Sequence, residues 1–152
     1  MKITVHESEK CKEIEVSILC NRRDRKVEEI IDFLQRDSYK VNVQNENKQT
    51  FLLPYEQILY IESVDKKVFI YGADEIYDCN FKLYQLEEML PASHFFRISK
   101  SVILNVLAVQ CLEPEVGRRL KVTLENGERL IVSRQYVSDI KLKLGIKQEA
   151  IK

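Results

Sequence analysis

A chain of 152 residues has room for one ordinary domain, or one domain with a short extension. Its 45% hydrophobic and 32% charged content suits a packed core with a solvated surface, and its formal net charge is zero. No apolar run approaches the roughly 20 residues of a bilayer span, and the opening Met1-Lys2-Ile3-Thr4-Val5-His6-Glu7 is too polar for a signal peptide, so a cytoplasmic location is expected.

The first residues alternate apolar with polar: Ile3 and Val5, then Ile14, Val16 and Ile18. Period two predicts two short strands, each with one buried face. Val27, Ile30, Ile31 and Leu34 recur at i, i+3, i+4 and i+7, which predicts an amphipathic helix. Asp24 is its expected N-cap, with Glu28 and Glu29 at the positive end of the dipole. This β-β-α unit ends near Asp37-Ser38.

From Tyr39 onward, short strands are separated by polar turns. Tyr39–Val43 alternates, Asn45–Lys48 turns into Thr50–Leu53, and Ile58–Glu62 follows Pro54. Val64–Lys67 reads as a turn into Val68–Tyr71, and a further strand lies near Ile76–Cys79. Asn80 is the expected cap of a short helix that buries Leu83, Leu86 and Leu90 and closes at Pro91. After Phe95–Asn105 come strands at Val109–Leu112, Leu120–Leu124 and Arg129–Val132. Asn126-Gly127 predicts a two-residue type I′ hairpin turn, in which both central residues take positive φ. Ser133 opens a last helix with Val137, Ile140 and Leu144 on one face, and Gly145 supplies its left-handed stop.

Cys11, Cys20, Cys79 and Cys111 form no C-x-x-C pair, and neither His6 nor His94 joins them at metal-ligand spacing. They read as reduced, mostly structural thiols, with no disulfide framework and no metal or organic cofactor. The chain carries no G-x-S-x-G, P-loop or H-E-x-x-H, and no carboxylate pair placed for acid–base work, so an enzyme is not expected. Zero net charge hides an asymmetry. From Arg97 onward eleven basic residues face six acidic ones, while the preceding part holds 13 basic and 18 acidic. Such polarity between halves is a signature of nucleic-acid binding, although an uneven solvated surface gives the same count.

Three stretches together resemble the LytTR family of bacterial DNA-binding domains: Ile58–Ser63 followed by Lys66-Lys67; Phe95-Phe96-Arg97-Ile98-Ser99-Lys100-Ser101-Val102-Ile103-Leu104-Asn105; and Leu120 through Val137. Order and spacing match over roughly residues 45–145. The resemblance implies a mainly β (α+β) fold of elongated antiparallel sheets with two or three short helices, here preceded by the β-β-α extension. It places the division at 1–44 and 45–147. It also implies a transcription regulator that reads promoter direct repeats through strand-end loops rather than a helix-turn-helix.

Carried onto this chain, the family's contact regions are Lys66 and Lys67, Ser99 and Lys100, and Arg134 and Gln135. Where some members have a base-reading His in the first loop and an Asn in the second, this chain has Lys67 or Val68, and Lys100. Either Arg134 or Gln135 aligns with the third base-reading place. The chemistry agrees: Arg pairs bidentately with guanine and Gln with adenine, while Lys and Ser suit phosphates. Ser133 at a helix N-terminus adds free N–H groups, and Arg118-Arg119 beside Gly117 is a further backbone-contact candidate. Each residue also has a plainer role. Lys66-Lys67 can be a solvated turn, Ser133 a helix cap, Phe95, Phe96 and Tyr60 core, and Arg97 part of a structural ion pair.

The first 44 residues are too few for the aspartyl-phosphate receiver of many family members. They are expected to mediate dimerisation or docking. The expected partners are double-stranded promoter DNA, a second copy and a restraining membrane protein, with no small-molecule substrate. The rival reading is a protein-interaction module that keeps the fold without binding DNA.

Overall fold

The computed structural model describes residues 1–35 and 40–146. The expected end of the N-terminal unit at Asp37-Ser38, the strand start at Tyr39 and the domain end at 147 lie outside them.

The two N-terminal strands do not form. Residues 1–24 form no helix or strand, only turns, bends and irregular backbone, and Ile3, Val5, Ile14 and Val16 are exposed. Alternation marks a strand face, but two strands alone are marginal without a third or a covering element. The helix does form, as α1 (Arg25–Gln35). The Asp24 carboxylate accepts the Val27 N–H at 3.1 Å, the N-cap bond expected of it. No residue of α1 is fully buried. The Ser93 hydroxyl donates to the Asp32 carboxylate and ties the helix to the domain.

Ten strands follow. They are β1 (Lys40–Gln44), β2 (Thr50–Pro54), β3 (Ile58–Val64), β4 (Lys67–Gly72), β5 (Ile76–Cys79), β6 (Phe95–Arg97), β7 (Val102–Asn105), β8 (Val109–Glu115), β9 (Arg119–Leu124) and β10 (Arg129–Val132). Helix α2 (Leu83–Met89) lies between β5 and β6, and α3 (Arg134–Lys143) follows β10. One antiparallel sheet runs β2-β1-β5-β4-β3-β7-β6 and a second runs β10-β9-β8. The sheet therefore already includes Lys40–Gln44, upstream of residue 45, and Val41 and Val43 are core residues.

The larger sheet is covered on both faces, which explains why its central strands read as continuous apolar runs. On one side Ile58, Ile61, Val68, Ile70 and Ile103 pack with Leu83, Leu86 and Leu90 of the α2 region. On the other, Leu59, Tyr60 and Leu104 pack with Leu120, Val122, Leu124 and Val132 of the small sheet and Ile140 of α3. Adjacent strand residues normally face opposite ways. Leu59 and Tyr60 share a face because the β3–β4 register shifts between Ile58 and Tyr60, the signature of a bulge. Burying each such aliphatic side chain contributes about 1.5–3 kcal/mol.

Several local expectations are corrected. The cap of α2 is Lys82, not Asn80, and the Gln85 side chain reaches back to accept the Lys82 N–H at 2.9 Å. At Asn126-Gly127 only Gly127 takes positive φ. Leu124 and Glu128 bond across a three-residue loop, the Leu124 N–H donating to Glu128 O at 2.8 Å. Asn126 prefers an ordinary turn conformation there, since its side-chain oxygen accepts the Glu128 N–H. The two-residue turn with both φ positive is instead Asp65-Lys66, between the paired Val64 and Lys67. Cys11, Cys20 and Cys111 are exposed rather than structural, and all four cysteines are free. The end of α3 is as expected. The Gly145 N–H bonds Leu142 O and the Ile146 N–H bonds Lys141 O, a Schellman closure around φ +71° at Gly145.

Tyr60 yields a pH test. Its ring stacks on Tyr71 with centroids 4.2 Å apart, and the Glu128 carboxylate lies near its phenol. Burial first, and then that carboxylate, push its phenol above the ordinary value of 10.0. The folded state thus holds the proton that the unfolded chain releases. The associated stability is complete below pH 10 and is lost as pH rises beyond it. Tyr60→Phe is expected to make the alkaline fall in urea midpoint shallower.

Candidate nucleic-acid interface

The four regions singled out by sequence occupy neighbouring strand ends, joined by backbone hydrogen bonds. Lys66 sits in the β3–β4 hairpin turn and Lys67 opens β4 beside it. Beside it, the Ser63 N–H donates to Ser101 O at 2.8 Å and brings in the β6–β7 loop with Ser99 and Lys100. From that loop, Ile98 O accepts the Ser133 N–H at 2.7 Å, which fixes the entry to α3 with Arg134 and Gln135. Val132 pairs with Leu120, so the β8–β9 turn with Arg118 and Arg119 flanks the same end. The opposite end of the small sheet carries the Asn126-Gly127 loop.

Local chemistry shapes each tip. Asp65 and Lys66 sit at φ 50° and 67°, a left-handed pair that closes the hairpin in two residues at a steric cost. In the second loop the Ile98 N–H bonds Val102 O at 3.0 Å, and the Ser99 hydroxyl accepts the Ser101 N–H at 3.2 Å. Ser99 is therefore partly committed to holding its own loop. Ser133 occupies the N-cap position of α3 with extended backbone, but its side chain makes no capping bond. The first-turn N–H groups of Arg134 and Gln135 thus have no side-chain cap over them, the arrangement that accepts anions at a helix N-terminus.

Lys66, Lys67, Lys100, Arg118 and Arg134 are exposed, and none of them is ion-paired to a carboxylate among the described residues. Arg119 differs, since its Nε donates to Val116 O at 2.9 Å and braces its own turn. Lys121 is likewise engaged, 3.6 Å from Glu113. Phe95, Phe96 and Tyr60 are buried, so the plainer reading of these rings as core holds.

Arg97 is structural in a way that bears on the rim. Its Nε lies 2.9 Å from Glu87 Oε2 after α2 begins, and its guanidinium also donates to the Lys100 carbonyl. One planar fork spans both contacts, which a lysine cannot reproduce. The sequence clue was a lone arginine between Phe96 and Ile98; Glu87 as its partner had no such signal. Arg97→Ala is expected to cost about 1–2 kcal/mol and to speed amide hydrogen exchange at Ser101, with the hydrophobic cores unchanged.

Comparison with known proteins agrees with this geometry. The LytTR family, described as the LytTr DNA-binding domain, matches residues 48–145. The chain is 31% identical over 109 residues to the sensory transduction protein LytT of Enterococcus faecalis, covering 72% of this chain but 45% of that protein. It is 28% identical over 100 residues to an uncharacterised HTH-type transcriptional regulator of Staphylococcus aureus, with 66% of this chain and 67% of the relative covered. Among solved structures, the LytTr DNA-binding domain of a protein described as a methyl-accepting/DNA response regulator from Bacillus cereus superposes with TM-score 0.67 at 26% identity. That match covers 71% of this chain and 99% of the other. With its ten-stranded antiparallel framework and a family match over most of its length, the chain belongs to the LytTR family of DNA-binding domains.

Proposed function

We propose that this chain is a cytoplasmic, sequence-specific transcription regulator that lays its rim of strand-end loops along promoter DNA carrying direct repeats. The observation that carries this reading is a set of exposed cations, without carboxylate partners among the described residues, on neighbouring loops: Lys66, Lys67, Lys100, Arg118 and Arg134. In this reading Arg134 or Gln135 reads base edges in a major groove. Lys66, Lys67, Ser99, Lys100, Arg118, Arg119 and Ser133 hold phosphates and fix register. The chemistry is binding alone, without catalysis or a cofactor. The residues before β1 form the regulatory part, through self-association or docking to a restraining membrane protein, and the β domain forms the DNA-binding part.

Fluorescence anisotropy with promoter DNA of the protein's own operon, beside a scrambled duplex, tests the proposal across a salt series. Selective binding is expected, with a log–log salt slope of about −4 to −5 if five phosphates are neutralised. No selectivity at any salt would favour a protein-interaction module that has kept the fold.

A further inference from the structure

The N-terminal segment combines a strand pattern with a lack of any strand partner. Ile3 is 77% exposed, Val5 79%, Ile14 95% and Val16 58%. Within residues 1–24 the only backbone–backbone bond is the Cys11 N–H to Ser8 O, among the described residues. Apolar residues placed at every second position and left in water mark a surface that something covers.

The polar faces of the two stretches say what fits. Residues 2–6 set Lys2, Thr4 and His6 opposite to Ile3 and Val5, so that face carries the Lys2 ammonium and the polar Thr4 and His6 side chains. Residues 13–18 set Glu13, Glu15 and Ser17 opposite to Ile14, Val16 and Ile18, so that face is acidic. Laid antiparallel, Ile3 meets Val16 and Val5 meets Ile14 on one face. On the other, His6 meets Glu13, Thr4 meets Glu15, and Lys2 reaches Glu15 diagonally. Opposite charges directly across or diagonal on a strand pair are favourable, and so are pairs of branched apolar side chains.

We propose that a second copy of this chain is the occupant: residues 2–6 of each copy pair with residues 13–18 of the other. The complementarity is between two segments of the same sequence, which a two-fold axis satisfies twice at once. In a single chain these segments stay unpaired. Exchange between copies forms two such pairs related by the two-fold axis, each with its own apolar face. Leu34, also exposed, lies further along the chain from that face. This association is independent of DNA binding.

Sedimentation equilibrium of the full chain without DNA tests it. A dimer is expected in the micromolar range. Val16→Asp, which puts a charge on the apolar face, should raise its dissociation constant by roughly tenfold or more. Glu13→Lys should weaken the dimer several-fold, and adding His6→Glu in that background should recover much of the loss. Circular dichroism and the thermal midpoint of the β domain should stay unchanged in each variant, because these side chains are exposed in the single chain and lie outside both hydrophobic cores. A monomer at every concentration overturns the proposal. So does a dimer indifferent to Val16→Asp, whichever way the DNA-binding measurement falls.

Discussion

Replacing Asn105 with alanine is expected to cost about 2–4 kcal/mol of stability, the largest effect of any single polar substitution considered in the fold. Asn105 ends β7 and is 2% exposed. Its Nδ2 donates to Ile58 O at 2.8 Å, across 47 residues of sequence, and its Oδ1 accepts the Leu107 N–H at 3.0 Å. Alanine leaves a buried carbonyl and an N–H without partners, and each orphan carries about 1–3 kcal/mol of lost solvation. For a chain of this size the thermal midpoint should fall by about 5–15 °C. Urea unfolding should show a lower midpoint at unchanged slope, since the surface exposed on unfolding is the same. Asn105→Asp is expected to do no better: it keeps the acceptor for Leu107 but turns a carboxylate oxygen toward the Ile58 carbonyl.

For DNA binding, the largest expected loss comes from Arg134→Ala, about 1–3 kcal/mol against the cognate site, with relaxed preference at one base position. The scrambled duplex should be affected much less. Lys100→Ala should instead weaken both duplexes to a similar degree and flatten the salt slope by about one unit. The contrast is diagnostic because the two residues sit on loops tied by the Ser133–Ile98 bond, so both variants keep the same scaffold. Anisotropy titrations at two or more salt concentrations separate them. Equal loss on both duplexes for Arg134→Ala would assign that arginine to phosphate and leave Gln135 as the base reader.

The interaction among these loops also ranks Arg97. It is not placed to touch DNA while its fork is spent on Glu87 and the Lys100 carbonyl. Its effect on binding is therefore expected to pass through the position of Lys100, and to be smaller than that of Arg134→Ala.

Much of this molecule was legible in its sequence, because strands, helix faces and caps are local. Period two and the branched residues marked β1 to β5 and β8 to β10. The i, i+3, i+7 leucines marked α2, and Asp24 and Gly145 marked a helix start and a helix stop through bonds made within a few residues. Where a local signal had two outcomes, sequence chose wrongly. Asn126-Gly127 serves a three-residue loop as well as a two-residue one, and Asn80 lost the α2 cap to Lys82. The strands expected at Ile3–Val5 and Ile14–Ile18 failed for another reason: a strand exists only with a neighbour, and alternation cannot name one. Only the tertiary structure decided that four loops distant in sequence share one end of the molecule. It did so through bonds such as Ser63 to Ser101 and Ile98 to Ser133, whose partners no periodicity predicts. Side-chain pattern fixes which face a residue shows; the register between separate segments fixes which residues meet.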